Sequence, residues 1–468
     1  ILEVLNQAHS IKQIAASNPM DRIALHRFLL SVLYWCQGSP EDHLSCNPDE
    51  PFDSKYFRKI VDRRQFFDLL GDSERFYQIR PVSGSNSNSR FVSVNYLVHE
   101  VPTGSNFVHF RHSVDTVEGL CPSCCAIGLT RLPVFATSGG RGKPPGINSK
   151  PPCYVMPVSR TLAGTLRLLW SPTEELGIPF WESPNIELPF NREVLLLNGL
   201  TWVPRKVWLN QKHRSGGRCI SCGIEDNLIV SCVFDGIGSQ KTDEDGPQRM
   251  WNDPHVLYLD LVGKPENRIA VGERDALNAL DASSGQWKFL VKGLLSDGRL
   301  LKTLKKRIVD AGVPTKDIHI MGVGFSTVKN DKYLEVKEYA INMDDLMRVE
   351  EETFPMSLSI WDEESEKLRK KLYAKTGAGL MRAEIEAKNI TACIRPHLEN
   401  KLSSAMTAVL ASENQPWSMV LSEYELMMSA IGKSYAPGFT TDALDRRIRI
   451  SGLKPDMSIK FKNRKKQN

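Results

Sequence analysis

The apolar positions of this chain change texture along its length. Near the start, Asn18-Pro19 followed by Asp21 reads as a helix N-terminus: a capping side chain, a proline whose missing N–H is harmless there, and an acid in the first turn. Ile23, Leu29, Leu30, Leu33 and Trp35 then form a broad apolar surface, which Gly38 ends. A second helix is expected over 54–70, with Tyr56, Ile60, Phe67 and Leu70 inward. Beyond Gly71 the pattern shortens, and 76–82 and 91–98 read as strands around a polar loop at 83–89. Residues 102–119 and 138–152 read as loops on either side of a Cys-Pro-Ser-Cys sequence. Strand patterns return at 194–197, 201–209 and 256–261, and 300–311 is an amphipathic helix. Residues 317–324 and 333–341 then suggest a hairpin with a polar tip.

From Met343 the period is helical. Trp361, Leu368 and Leu372 share one face; Leu398, Leu402, Met406, Val409 and Leu410 share another; Val420, Tyr424, Met427, Met428 and Ile431 a third. Gly377-Ala378-Gly379, Pro416 and Pro437-Gly438 separate these helices, and the basic 460–466 tail is expected to be disordered. The fold class expected is therefore α+β: a large mixed domain over 1–342, followed by a C-terminal helical bundle over 343–468.

At 468 residues a single hydrophobic core is unlike ordinary domains, which agrees with that division. Sixty basic residues against 55 acidic ones leave +5, so any nucleic-acid binding must come from local patches rather than from a global field. No run approaches 18 consecutive apolar residues, so no membrane span is expected.

Ten cysteines are too few for a disulfide scaffold of this length, and their spacing points to metal in a reducing, cytoplasmic setting. Cys121-Pro-Ser-Cys124 and Cys219-Ile-Ser-Cys222 are both CxxC turns, with Gly119 before the first and Gly223 after the second. Each supplies half of a tetrahedral thiolate site, and together they would complete one structural Zn2+ site. Four thiolates leave no open position for water, so zinc hydrolysis is disfavoured. The competing readings are unrelated turns or one redox-active pair; a redox CxxC needs a strand-to-helix start, which the sequence pattern does not suggest here.

The search for catalysis is thin. HExxH, GxxxxGK[ST], GxSxG and paired acidic metal motifs are absent. The glycine cluster at 138–143 lacks a strand-to-helix frame, and no catalytic residue is assigned. The alternatives carried forward are a zinc-dependent nuclease or hydrolase using His109, His112 and Asp115, and a zinc-stabilised scaffold of another ribonucleoprotein.

The order of these features resembles the CasA (Cse) family, the large subunit of the type I-E CRISPR Cascade complex. The residues that carry the likeness are the loop with Phe110, Gly119 through Ile127 around the first knuckle, Gly139-Gly140, Gly199-Leu200-Thr201-Trp202-Val203-Pro204, the second knuckle with Gly223, and Ile320-Met321-Gly322. The resemblance implies a non-enzymatic subunit of an RNA-guided antiviral complex. Such a subunit reads a short DNA motif (the PAM) beside the target, aids strand separation, and recruits a helicase-nuclease. Its partners would be double-stranded DNA with the displaced strand, the other Cascade subunits and CRISPR RNA. Carried onto this chain, Phe110 and Arg111 would lie near the PAM or the RNA end, and Gly139 and Gly140 in the minor groove. Lys241 would contribute a basic contact, and Val328 and Lys329 would stand where the family has its strand-separating wedge. Glycines let backbone approach base edges closely, and degenerate minor-groove readout suits a tolerant reader. Arg141, Lys143 and Lys150 would meet phosphates.

Overall fold

The computed structural model describes residues 1–39, 47, 50–81, 91–98, 119–136, 143–148, 152–171, 173–184, 193–211, 213–237, 251–261, 264–270, 305–309, 312, 314–328 and 332–344. The chain divides into two compact units, one of Ile1–Ala276 with Arg299–Ala340 and one of Leu277–Gly298 with Ile341–Asn468. The expected C-terminal bundle lies outside the described residues, apart from the few at its start.

In the first unit, a short helix α1 (Leu2–Asn6) precedes the central helix α2 (Pro19–Gln37). Asn18 caps α2 as its sequence indicates, its side chain accepting from Met20 N at 2.8 Å. Gly38 closes it at φ 77°, a left-handed conformation that glycine takes without a Cβ clash. Almost the whole circumference of α2 is buried, including His26 and Arg27. It is a core helix, not a surface one with a single apolar stripe. The helix expected over 54–70 breaks up instead: a 3-10 turn at Ser54–Phe57, α3 (Arg58–Asp62) and a second turn at Arg64–Phe67. Only Phe57, Ile60 and Phe66 of these segments are fully buried, so no continuous apolar face exists to hold one long helix.

Among the described residues of the stretch expected as a strand at 76–82, none forms one. Arg75 and Gln78 are buried instead, Arg75 Nη1 donating to Leu209 O at 2.8 Å and Gln78 Nε2 to Leu69 O at 2.7 Å. Those side chains bind this stretch as a packed loop. Phe76 and Tyr77 join Phe28, Phe67 and Trp181 in an aromatic cluster of edge-to-face and tilted pairs. β1 (Phe91–Ser93) covers only the start of the second expected strand, which turns into a 3-10 segment, Val94–Leu97.

α4 (Pro122–Phe135) follows the first cysteine turn; β2 (Tyr154–Val158) and α5 (Leu162–Leu169) come next. α6 (Leu196–Thr201) takes the place of the second half of the strand expected at 194–197 and of the first residue of the one expected at 201–209. A short apolar run cannot by itself separate strand from helix, and packing on α2 decides it here. β3 (Arg205–Leu209), β4 (His213–Arg218), β5 (Glu225–Ile229) and β6 (Ser231–Gly236) follow, then β7 (Tyr258–Leu261) and β8 (Lys264–Ala270). The unit closes with β9 (His319–Val328) and β10 (Lys332–Asn342), the hairpin expected from the sequence.

Sheets are small. β6 lies between β1 and β3, and β9 lies between β10 and β2, with Met156 opposite Met321. β4–β5 and β7–β8 are two-stranded. The mixture of helices and antiparallel strands agrees with the expected α+β class. Among the described residues no helix is long and apolar enough to cross a membrane.

Candidate metal centre

The two CxxC turns meet. The Sγ atoms of Cys121, Cys124, Cys219 and Cys222 all lie within 4.8 Å of one another. Cys121 Sγ and Cys222 Sγ are 3.7 Å apart, far beyond a disulfide bond of ~2.05 Å. Zn–S distances of ~2.3 Å imply a tetrahedron with edges of about 3.8 Å, so these residues fit a single four-coordinate ion. Among the described residues, this is the group able to hold a metal.

Backbone pairing brings the turns together. Leu120 and Ile229 form an antiparallel bridge, with N–H···O distances of 3.0 and 2.9 Å, and Ile220 N donates to Gly119 O at 3.3 Å. A Cβ on Gly119 would stand 2.6 Å from Ile229 O and 2.8 Å from Leu228 Cβ, so the approach of the segments requires a residue without a side chain. The β4–β5 hairpin presents the second turn. There Gly223 has φ 73°, and its N–H donates to Cys219 O at 2.9 Å.

The sequence pattern suggested no helix start at the first turn, and the structure has one: Cys121 caps α4, its sulfur accepting from Cys124 N at 3.4 Å, with Pro122 in the first turn. A helix start of the redox-motif kind is therefore present. What separates this site from a lone redox pair is the second pair of thiols packed against it.

Thiol ionisation follows burial and N–H donors. Burial opposes ionisation of Cys219, but N–H groups of Cys121, Cys222 and Ser221 outweigh it and lower the thiol to about 7. The donor from Cys121 is 3.4 Å from the sulfur. Burial pushes the Cys121 and Cys124 thiols up. A bound metal would displace those protons, as thiolate ligation requires. Cys125 is fully buried, points its thiol toward Leu120 O at 3.9 Å, and is not a member of the cluster.

Of the remaining sequence-assigned positions, Phe110, Arg111, Gly139, Gly140, Lys241 and Lys329 lie outside the described residues, as do His109, His112 and Asp115. Val328 ends β9. Lys143, expected to meet phosphate, has its ammonium 5.8 Å from the Phe234 ring centroid. The Gly199–Pro204 motif has a packing basis: a Cβ on Gly199 would overlap the ring atoms of Trp251, so the indole lies flat against α6. Sequence reasoning missed the buried Arg27–Asp253 pair beneath this region, bidentate at 2.7 and 2.8 Å, with His255 Nδ1 3.0 Å from Arg27 Nη1. A buried carboxylate is expected to be paired, but no spacing rule links positions 226 residues apart.

A model of the family "CRISPR-associated protein Cse1 (CRISPR_cse1)" matches residues 1–425. The chain belongs to the Cse1 family. A curated relative, the CRISPR-associated protein CasA/Cse1 of Thermus thermophilus, is 29% identical over 199 residues; the alignment spans 40% of this chain and 38% of that protein. The crystal structure of the Thermus thermophilus CasA matches at TM-score 0.70 and 18% identity, over 96% of this chain and 93% of that one. Thermobifida fusca Cse1 matches at TM-score 0.65 and 16% identity, over 97% and 93%. A chain of a CRISPR RNA-guided surveillance complex matches at TM-score 0.65 and 15% identity, over 96% and 94%. At these identities the structural likeness establishes the shared Cse1 fold.

Proposed function

We propose that this protein is the non-catalytic DNA-recognition subunit of a CRISPR RNA-guided antiviral surveillance complex. It reads the PAM on duplex DNA, helps open the first base pairs, and recruits a helicase-nuclease that cuts. The observation that carries this reading is membership of the Cse1 family over 1–425. The cysteine cluster supports it by joining two segments that the assigned loops flank in sequence. A structural Zn2+ held by Cys121, Cys124, Cys219 and Cys222 would add rigidity and no reaction, because four thiolates fill its coordination.

In this reading the mechanism is energetic. Contacts of Phe110, Arg111, Gly139, Gly140 and Lys241 to the PAM offset the cost of unstacking, and Val328 and Lys329 stand at the opening duplex. Guide-RNA pairing then propagates; the same logic operates in a different RNA-guided effector. The partners are PAM-bearing duplex and its displaced strand, CRISPR RNA with the other Cascade subunits, and the helicase-nuclease, in the cytoplasm. The division into a 1–342 recognition domain and a 343–468 helical bundle belongs to the same proposal. An all-sulfur cluster disfavours the hydrolase alternative.

The test is a gel shift of PAM-bearing duplex with the remaining complex, with and without this subunit. Tight binding that needs both the subunit and the PAM is expected. Replacing Gly139 or Gly140 by a bulky residue should weaken it without unfolding the protein. Equal binding to duplexes with and without a PAM would overturn the reading.

A further inference from the structure

Positions 55–64 hold five basic residues and one acid, and the broken 3-10 and helical path of this stretch sorts them by side. Phe57, Ile60 and Phe66 are buried. Lys59 is tied back onto that side: its ammonium donates to Trp35 O at 3.0 Å, lies 4.4 Å from the Trp35 ring centroid, and stands 3.8 Å from Glu182. Lys55, Arg58, Arg63 and Arg64 stay exposed. Acids answer only two of them. Asp53 pairs with Lys55 at 2.7 Å, and Asp62 with Arg58 at 3.7 Å, the Arg58 side chain being 85% exposed. Pairs so open to water are worth ~0–1 kcal/mol and give way to another anion. Arg63 and Arg64 have no hydrogen bond or ion pair among the described residues.

We infer that this face is a landing surface for the phosphodiester backbone of duplex DNA, with Arg58, Arg63 and Arg64 as its phosphate contacts. This rests on the DNA-recognition reading above and adds to it a contact blind to sequence. Composition decides the class of partner. The core of a protein–protein interface is depleted of charge, whereas a DNA interface is polar and strongly positive. Between 54 and 67, Val61 is the exposed large apolar residue, and the other exposed residues are Ser54, Asp62 and the four cations. Arginine suits the role, since its planar guanidinium stays charged and forks onto two phosphate oxygens. With a net charge of only +5 over the chain, phosphate affinity has to arise on local faces such as this one. Guide RNA offers the same phosphates, and the test separates it from DNA.

Each phosphate neutralised on duplex DNA adds about 0.9 to the steepness with which log affinity falls against log salt. Replacing Arg58→Gln, Arg63→Gln and Arg64→Gln together should flatten that slope by about 2.7. Between about 50 and 200 mM salt, the parent should then lose roughly 40-fold more affinity for non-target duplex than the variant loses. The assay uses the complete complex with its guide RNA, with labelled duplex read by fluorescence anisotropy. Motif discrimination, melting temperature and co-elution of guide RNA and the other subunits are measured alongside, and all should match the parent. Lys12→Gln, Arg80→Gln and Lys316→Gln together are the control; they remove the same charge from exposed positions elsewhere and should leave the slope unchanged. An unchanged slope in the Arg58, Arg63 and Arg64 variant overturns the inference, as does equal flattening by the control. A variant that no longer co-elutes with guide RNA or the other subunits overturns it too, because the face would then serve assembly. Absence of motif discrimination by the parent complex instead overturns the DNA-recognition reading.

Discussion

Gly119→Ala tests whether the metal centre depends on a backbone approach rather than on its sulfurs alone. Ordinary Cβ contacts begin near 3.4 Å, and this one would stand 2.6 Å from the carbonyl oxygen of Ile229 and 2.8 Å from Leu228 Cβ. The segments must separate by nearly an ångström, and both atoms belong to the hairpin that carries Cys219 and Cys222. Overpacking of this kind costs about 1–3 kcal/mol. Metal-bound protein must hold the segments together, whereas metal-free protein can relax by letting them part. A strain of about 2 kcal/mol therefore appears as a dissociation constant raised about 30-fold. Competition against a chromophoric zinc chelator measures it. Gly324→Ala is the control, since its added Cβ would meet Cys153 at an ordinary 3.9 Å. A Gly119→Ala protein that holds zinc within twofold of the parent would refute the reasoning.

Further outcomes follow from the buried polar groups and the ligands. Cys219→Ser should abolish one-to-one zinc binding and lower the melting temperature; full occupancy at an unchanged midpoint would contradict a four-sulfur site. Arg27→Met strands the Asp253 carboxylate in the core and should cost about 3–5 kcal/mol in urea unfolding, with much of that recovered when Asp253→Leu is added. Burial lowers His26 from 6.5 to about 4 and, with the Arg27 charge, His255 to about 3, so the unfolded chain takes up these protons first. Stability from keeping both neutral is complete above about pH 6.5 and falls as pH drops toward 4 and below. His26 alone accounts for about 3 kcal/mol of that loss. A urea midpoint equal at pH 7.5 and pH 5 would refute it.

The parts legible in the sequence were those with local physical causes. The start of α2 needed only Asn18 and Pro19, and its end only Gly38; the β9–β10 hairpin showed in strand texture around a polar tip. The CxxC spacing singled out the four cysteines because each turn is local, while the meeting of the turns came from the Leu120–Ile229 bridge, which no spacing encodes. α4 was hidden by Pro133 inside it and by a cysteine motif that reads as a turn, although Cys121 serves as its cap. The stretch at 76–82 looked like a strand until the burial of Arg75 and Gln78 supplied side-chain partners for backbone carbonyls. Packing across long separations made those decisions.

The separation of 98 positions between Cys121 and Cys219 bears on how the protein is made. At ~5–20 residues per second of synthesis, the first sulfur pair waits several seconds or more before its partners exist. During that interval a dithiol at a helix end stands alone, open to whichever soft cation or oxidant reaches it. Helix α5 is synthesised within that interval, while the cysteine cluster is half built.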